Sequence, residues 1–141
     1  MNNENQEIEA AVLKAAKKQT QQGFILDGLY QYKARNGSLK FYKARLINPK
    51  TKEKWIRPFK LDAKNGFVIG EPECTEKKPL YNICERDLQR RSDVWVVEGE
   101  NCVEVLSNLG FLATTCGSAN SVERSDWSIL QDRKVIIWPD N

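Results

Sequence analysis

The chain has 141 residues, 40% of them hydrophobic and 29% charged, with a net charge of +3 and no histidine. This composition supports a packed core and argues against wholesale disorder, and no apolar run approaches the roughly 20 residues that span a bilayer. Without histidine, Ser-His-Asp and Cys-His catalysis and histidine-ligated metals are excluded, which leaves carboxylates, lysines or a hard cation on oxygen ligands.

The opening "MNNENQEIEA" lacks the basic and apolar regions of a signal peptide, so a cytoplasmic protein is expected. The four cysteines, Cys74, Cys84, Cys102 and Cys116, form no closely spaced pair and read as small reduced thiols. Charge is unevenly spread: residues 1–83 carry a balance of +7 and residues 84–141 a balance of −4. A basic part is followed by an acidic one.

Ile8, Ala11, Val12, Ala15 and Ala16 recur at helical spacing, which predicts an amphipathic helix from about Asn5 to Gln21 with Gly23 as its stop. "LYQYKARNGSLKFYKARLI" then alternates about Asn36-Gly37, a hairpin signal. A two-residue loop would set Arg35 against Ser38, Ala34 against Leu39 and Lys33 against Lys40, the last a like-charge pair that a bound polyanion would relieve. "KEKWIRPF" is a third strand, and Pro58 puts it at a sheet edge. Between Gln31 and Lys64 stand eleven Lys and Arg but only two acids, with aromatics interleaved. Two readings stand: a single-stranded nucleic-acid surface using Lys33, Arg35, Lys40, Tyr42, Lys43, Arg45, Lys54, Trp55 and Arg57, or a sheet with one solvated, lysine-rich face.

"EPECTEKKP" is a linker and divides the chain into residues 1–79 and 80–141. "DVWVVEGE" is an apolar strand ending at Glu98-Gly99-Glu100. "NCVEVLSNLG" is a helix with Cys102, Val105, Leu106 and Leu109 on its apolar side, "FLATT" a second strand, "VERSDWSILQD" a second helix and "KVIIWPD" a third strand. The fold class is therefore mixed: an N-terminal helix with a small antiparallel basic sheet, then a parallel β-α-β-α-β core. Ligands of such sheets bind at the carboxyl ends of the strands, where Glu98 and Asp140 fall. Two acids there suit Mg²⁺, although strand ends are also acidic because they face solvent. Gly117 and Ser118 form a candidate phosphate loop, Glu100 reads as a solvent-facing helix start, and Arg90, Arg91 and Lys134 are candidate backbone-positioning cations or simply solvated ones.

"VVEGENCVEVLSNLGFLATTCGSANS" together with "DWSILQDRKVIIWPDN" resembles a TOPRIM domain, in particular that of primases of phages and mobile elements. The resemblance covers Val94 to Asn141. Asn101 and Glu104 depart from the lysine and aspartate usual in that subgroup. The resemblance implies Glu98 as catalytic base or metal ligand, Asp140 as metal ligand, and Mg²⁺ or Mn²⁺ as cofactor. It implies nucleotidyl transfer on single-stranded DNA in replication, with nucleotides as further partners, a helicase in or with the parent protein, and no membrane. The family's second aspartate would follow Asn141, so the chain is expected to be an N-terminal fragment, inactive alone, of a longer nucleotidyltransferase. The alternatives are a TOPRIM nuclease or topoisomerase fragment and a non-catalytic nucleic-acid-binding module.

Overall fold

A computed structural model of the chain describes residues 3–73, 77–90 and 92–140; Cys74, Arg91 and Asn141 lie outside the described residues. The fold is mixed α+β, with an N-terminal helix, a four-stranded antiparallel sheet and a separate three-stranded parallel sheet. It divides into two compact units, Met1–Tyr30 with Phe41–Pro72, and Gln31–Lys40 with Glu73–Asn141. Among the described residues no helix is long and apolar enough to cross a membrane.

In the first unit, helix α1 (Asn3–Ala15) buries Ile8 and Val12, and Ala16 continues that face. The predicted single helix is broken: Ala16 leaves helical geometry at φ −95°, ψ 21°, and a separate short α2 (Lys17–Gln21) follows. Ala15 points to solvent, so the buried stripe is narrower than expected. Gly23, at φ +93°, ends the pair in the left-handed region that favours glycine.

Strands β1 (Ile25–Lys33), β2 (Leu39–Ile47), β3 (Lys54–Asp62) and β4 (Gly66–Ile69) form the antiparallel sheet in that order. β4 was not anticipated, and it moves β3 off the edge where Pro58 had placed it. The reason lies in the side of the strand that Pro58 faces. A strand residue directs its N–H and C=O to the same side, and the Pro58 carbonyl accepts from the Gly70 N–H at 2.9 Å. The missing donor therefore faces Gly70, just past the end of β4, and no ladder bond to β2 is lost. Asp62 closes the β3–β4 turn by accepting from the backbone N–H groups of Lys64 and Asn65, which holds its carboxyl below the usual range.

The hairpin tip belongs to the second unit. Its loop has three residues, not two. The Gly37 N–H donates to the Ala34 carbonyl at 2.9 Å, the Ala34 N–H donates to Ser38 at 2.8 Å, and Gly37 lies at φ +86°. This is a tight turn followed by a left-handed bulge residue. Ala34 therefore faces Ser38, and one step along the ladder Lys33 faces Leu39 instead of Lys40. The like-charge pair predicted from a two-residue loop does not form. Nothing lies within 4 Å of a Cβ added at Gly37, so Gly37→Ala tests backbone strain alone. It is expected to cost about 1 kcal/mol, read from the urea midpoint, with Gly37→Asn costing less.

The parallel sheet of the second unit has the order β6-β5-β7, with β5 (Val94–Val97), β6 (Leu112–Thr114) and β7 (Val135–Trp138). Val94 and Leu112 pack under Leu80, Ile83, Ile129 and Leu130. Helix α3 (Glu100–Asn108) buries Glu100 and Val103; Cys102, Val105 and Leu109, predicted for its apolar side, are exposed. The second predicted helix is absent. Residues Ala119–Ser121 and Trp127–Leu130 are short 3-10 turns. Ser125 Oγ donates to the Ser121 carbonyl, and Asp126 accepts from the Ser128 N–H. Such local side-chain bonds compete with an α-helix.

Candidate metal-binding sheet edge

The chain leaves β5 through α3 to β6 on one side, then returns to β7 on the other side of β5. The direction of winding reverses between β5 and β7, and ligands of open parallel sheets bind at that point, beyond the carboxyl ends of the strands. Val97 is in register with Trp138, the last pair of the ladder. Glu98 follows Val97 directly, and Asp140 stands two residues past Trp138. Adjacent strands are separated by about 4.8 Å, so the two acids share one edge. Both are exposed, and among the described residues neither is held by a hydrogen bond or ion pair.

The donor set decides what fits. Two carboxylates without histidine or thiolate suit a hard divalent cation that keeps several of its waters. No group of three or more His, Cys, Asp or Glu side chains that could hold a metal ion occurs among the described residues. Any ion at this edge would therefore rest on Glu98, Asp140 and water. The loop after β6 reaches the same edge, but its polar groups are engaged internally. The Gly117 N–H donates to Thr115 Oγ1 at 3.0 Å, and Ser118 Oγ lies 3.0 Å from Ser121 Oγ.

Behind the edge is a buried polar cluster that sequence reasoning missed. Glu100, expected to face solvent, is buried at the first position of α3 and accepts from the Tyr32 hydroxyl at 2.6 Å. Burial first, then the Glu100 charge, push the Tyr32 hydroxyl above its ordinary pKa. Lys78 Nζ sits 5.1 Å from the centre of the Tyr32 ring, and the Tyr81 hydroxyl donates to Glu104. The signal available in the sequence was the pair of acids around Gly99, only one of which can follow the strand outward as the next begins a helix.

The predicted nucleic-acid residues divide. Lys33, Arg35 and Lys40 belong to the second unit and line one cleft. In the first unit, Tyr42 is not a base platform: it is buried, donates to Glu4 at 2.9 Å and meets Phe67 edge-on. Arg45 Nε pairs with Asp27 at 3.0 Å. In register, Trp55 and Arg57 lie on the face of Leu46 and Ala44, whereas Lys43, Arg45 and Lys54 lie on the opposite face. The Arg57 guanidinium stacks over Trp55, 5.3 Å from the ring centre. The basic strands therefore offer two different faces and no single aromatic-basic surface. Lys134, read from the sequence as a backbone-positioning or simply solvated cation, pairs with Asp93 at 3.4 Å at the amino end of the parallel sheet, away from Glu98 and Asp140.

No protein-family model, curated protein or solved structure matches this chain. Its function rests on its own residues.

Proposed function

We propose that the β5–β7 edge is a divalent-metal site of TOPRIM primase type, serving metal-dependent nucleotidyl transfer on single-stranded DNA in the replication of a phage or mobile element. The observation that carries this reading is the position of Glu98 and Asp140 at the carboxyl ends of adjacent parallel strands, at the point where the winding reverses. Glu98 and Asp140 would hold Mg²⁺ or Mn²⁺, and the ion would supply charge neutralisation for nucleotide phosphates. Glu98, free of internal partners, is also placed to accept a proton from an attacking hydroxyl. Glu100 is held by Tyr32 and acts on the position of α3.

Equilibrium binding of a labelled single-stranded oligonucleotide tests the reading. Affinity is expected to fall steeply between low and moderate salt. Mg²⁺ should tighten binding in the wild type and leave the Glu98→Gln variant unchanged. A flat salt response with no effect of Mg²⁺ would remove the proposal.

A further inference from the structure

The parallel sheet has two outer strands, and the chain covers one of them. Along β6, the Tyr81 N–H donates to the Thr115 carbonyl at 2.9 Å and Asn82 Nδ2 donates to the Ala113 carbonyl at 3.2 Å. Along β7, no segment among the described residues pairs with the outer side. The Lys134 carbonyl accepts from the Val94 N–H at 3.0 Å, so Lys134, and with it Ile136 and Trp138, turns its backbone groups toward β5. Val135 and Ile137 turn theirs outward, and an open edge of this kind is a template for another strand. We propose that it pairs antiparallel, across a two-fold axis, with β7 of a second copy of this chain.

The face that this pairing would extend is apolar. Trp95 lies 5.6 Å from Phe111 on one side and 5.6 Å from Trp138 on the other, ring centre to ring centre, so an aromatic row crosses the sheet from the start of β6 to the end of β7. Ile136 is in register with Trp95 and lies on the same face. Helix α3 packs on β6 and β5, whereas Trp138 and Ile137 on β7 are 57% and 73% exposed. Apolar side chains of this size at an unpaired edge gain by burial against another strand.

The charges select a second copy as the occupant. Arg133 and Lys134 precede β7 and Asp140 follows it, so an antiparallel mate lays the basic end of each strand against the acidic end of the other. An in-register parallel mate would set Asp140 against Asp140. Residues with outward amides must face each other, and the register with Val135 against Ile137 of the second copy uses every outward amide of β7 and asks no N–H of Pro139. Ile136 then meets its own counterpart. Lys134 lies opposite Trp138 of the second copy, with Asp140 of the second copy diagonal to it on the same face, within reach of a lysine side chain. The two-fold axis repeats each contact and consumes both edges, so the assembly closes as a dimer. Asp140 also belongs to the proposed metal edge, so a bound ion and the second copy compete for it.

Sedimentation velocity of the chain in EDTA, over a concentration series, tests this without reference to the metal. A short edge with one apolar row should give a dimer with a dissociation constant of about 10–100 µM. Ile137→Pro removes an outward N–H and an exposed side chain but no bond to β5, and is expected to weaken the dimer by about tenfold or more. Lys134→Glu and Asp140→Lys should each weaken it by about fivefold, and the two together should restore it to within about twofold of wild type. A general loss of folding cannot produce that rescue. A wild type that stays monomeric to about 300 µM would leave the edge to a strand of a different protein and overturn the proposal. Assemblies larger than a dimer, a dimer unaffected by Ile137→Pro, or a charge swap that behaves like the single reversals would also overturn it.

Discussion

Glu98→Gln combined with Asp140→Asn is expected to abolish divalent-metal binding at the sheet edge while leaving the fold intact. Each carboxylate supplies a ligand oxygen and a negative charge, and the amide that replaces it keeps shape but not charge. For a hard cation that retains most of its waters, each loss should weaken affinity by about tenfold, and the two together should take binding below detection. Neither side chain takes part in packing, so the stability change should stay within about 0.5 kcal/mol. The free-ion electron paramagnetic resonance signal of Mn²⁺ in a titration reads the first quantity, and urea unfolding the second. Undiminished Mn²⁺ uptake by the double variant would locate the metal elsewhere.

Tyr32→Phe is expected to be the most destabilising single change near the site, although it removes one oxygen. The lost bond joins a buried hydroxyl to a buried carboxylate, and bonds of that kind are worth about 2 kcal/mol. Tyr81→Phe provides the comparison. Its hydroxyl also donates to a glutamate, but Glu104 is exposed and water replaces the donor, so the cost should be below about 1 kcal/mol. The two variants also separate with pH. The folded Tyr32 hydroxyl holds its proton above its ordinary pKa of 10.0, so the unfolded chain loses that proton first. The contribution is complete below pH 10.0 and declines as pH rises beyond it. Tyr32→Phe lacks that decline. Its stability deficit should therefore narrow by about 1 kcal/mol over the next pH unit, seen in urea titrations at successive pH values. A deficit that stays constant would mean that the hydroxyl is not buried against Glu100.

The elements that could be read from the sequence were those set by local rules. The apolar β5, the Gly23 stop and the turn at Asn36-Gly37 follow from side-chain period and left-handed glycines. What could not be read depended on partners distant in the chain. Whether Pro58 marks an edge depends on which side its missing donor faces, and that side is defined by Gly70. The hairpin register depends on whether Gly37 serves as a turn or a bulge residue, choices that leave the same sequence signature. The second predicted helix had apolar residues at its expected positions, but the Ser125 hydroxyl donates to the Ser121 carbonyl and Asp126 accepts from the Ser128 N–H, and these local bonds hold short turns instead. At the site, Glu98 and Asp140 were marked by their place after apolar runs, while the burial of Glu100 required Tyr32, 68 residues earlier.

The most direct test of the metal edge is residue-resolved paramagnetic broadening by sub-stoichiometric Mn²⁺ in the amide NMR spectrum of the isotope-labelled chain. Broadening should begin at Glu98, Gly99 and Asp140 and spare Asp93 and Lys134 at the opposite end of the same strands. Broadening centred on acids of the first unit, such as Glu4 or Asp62, with the β5–β7 edge untouched, would contradict the account.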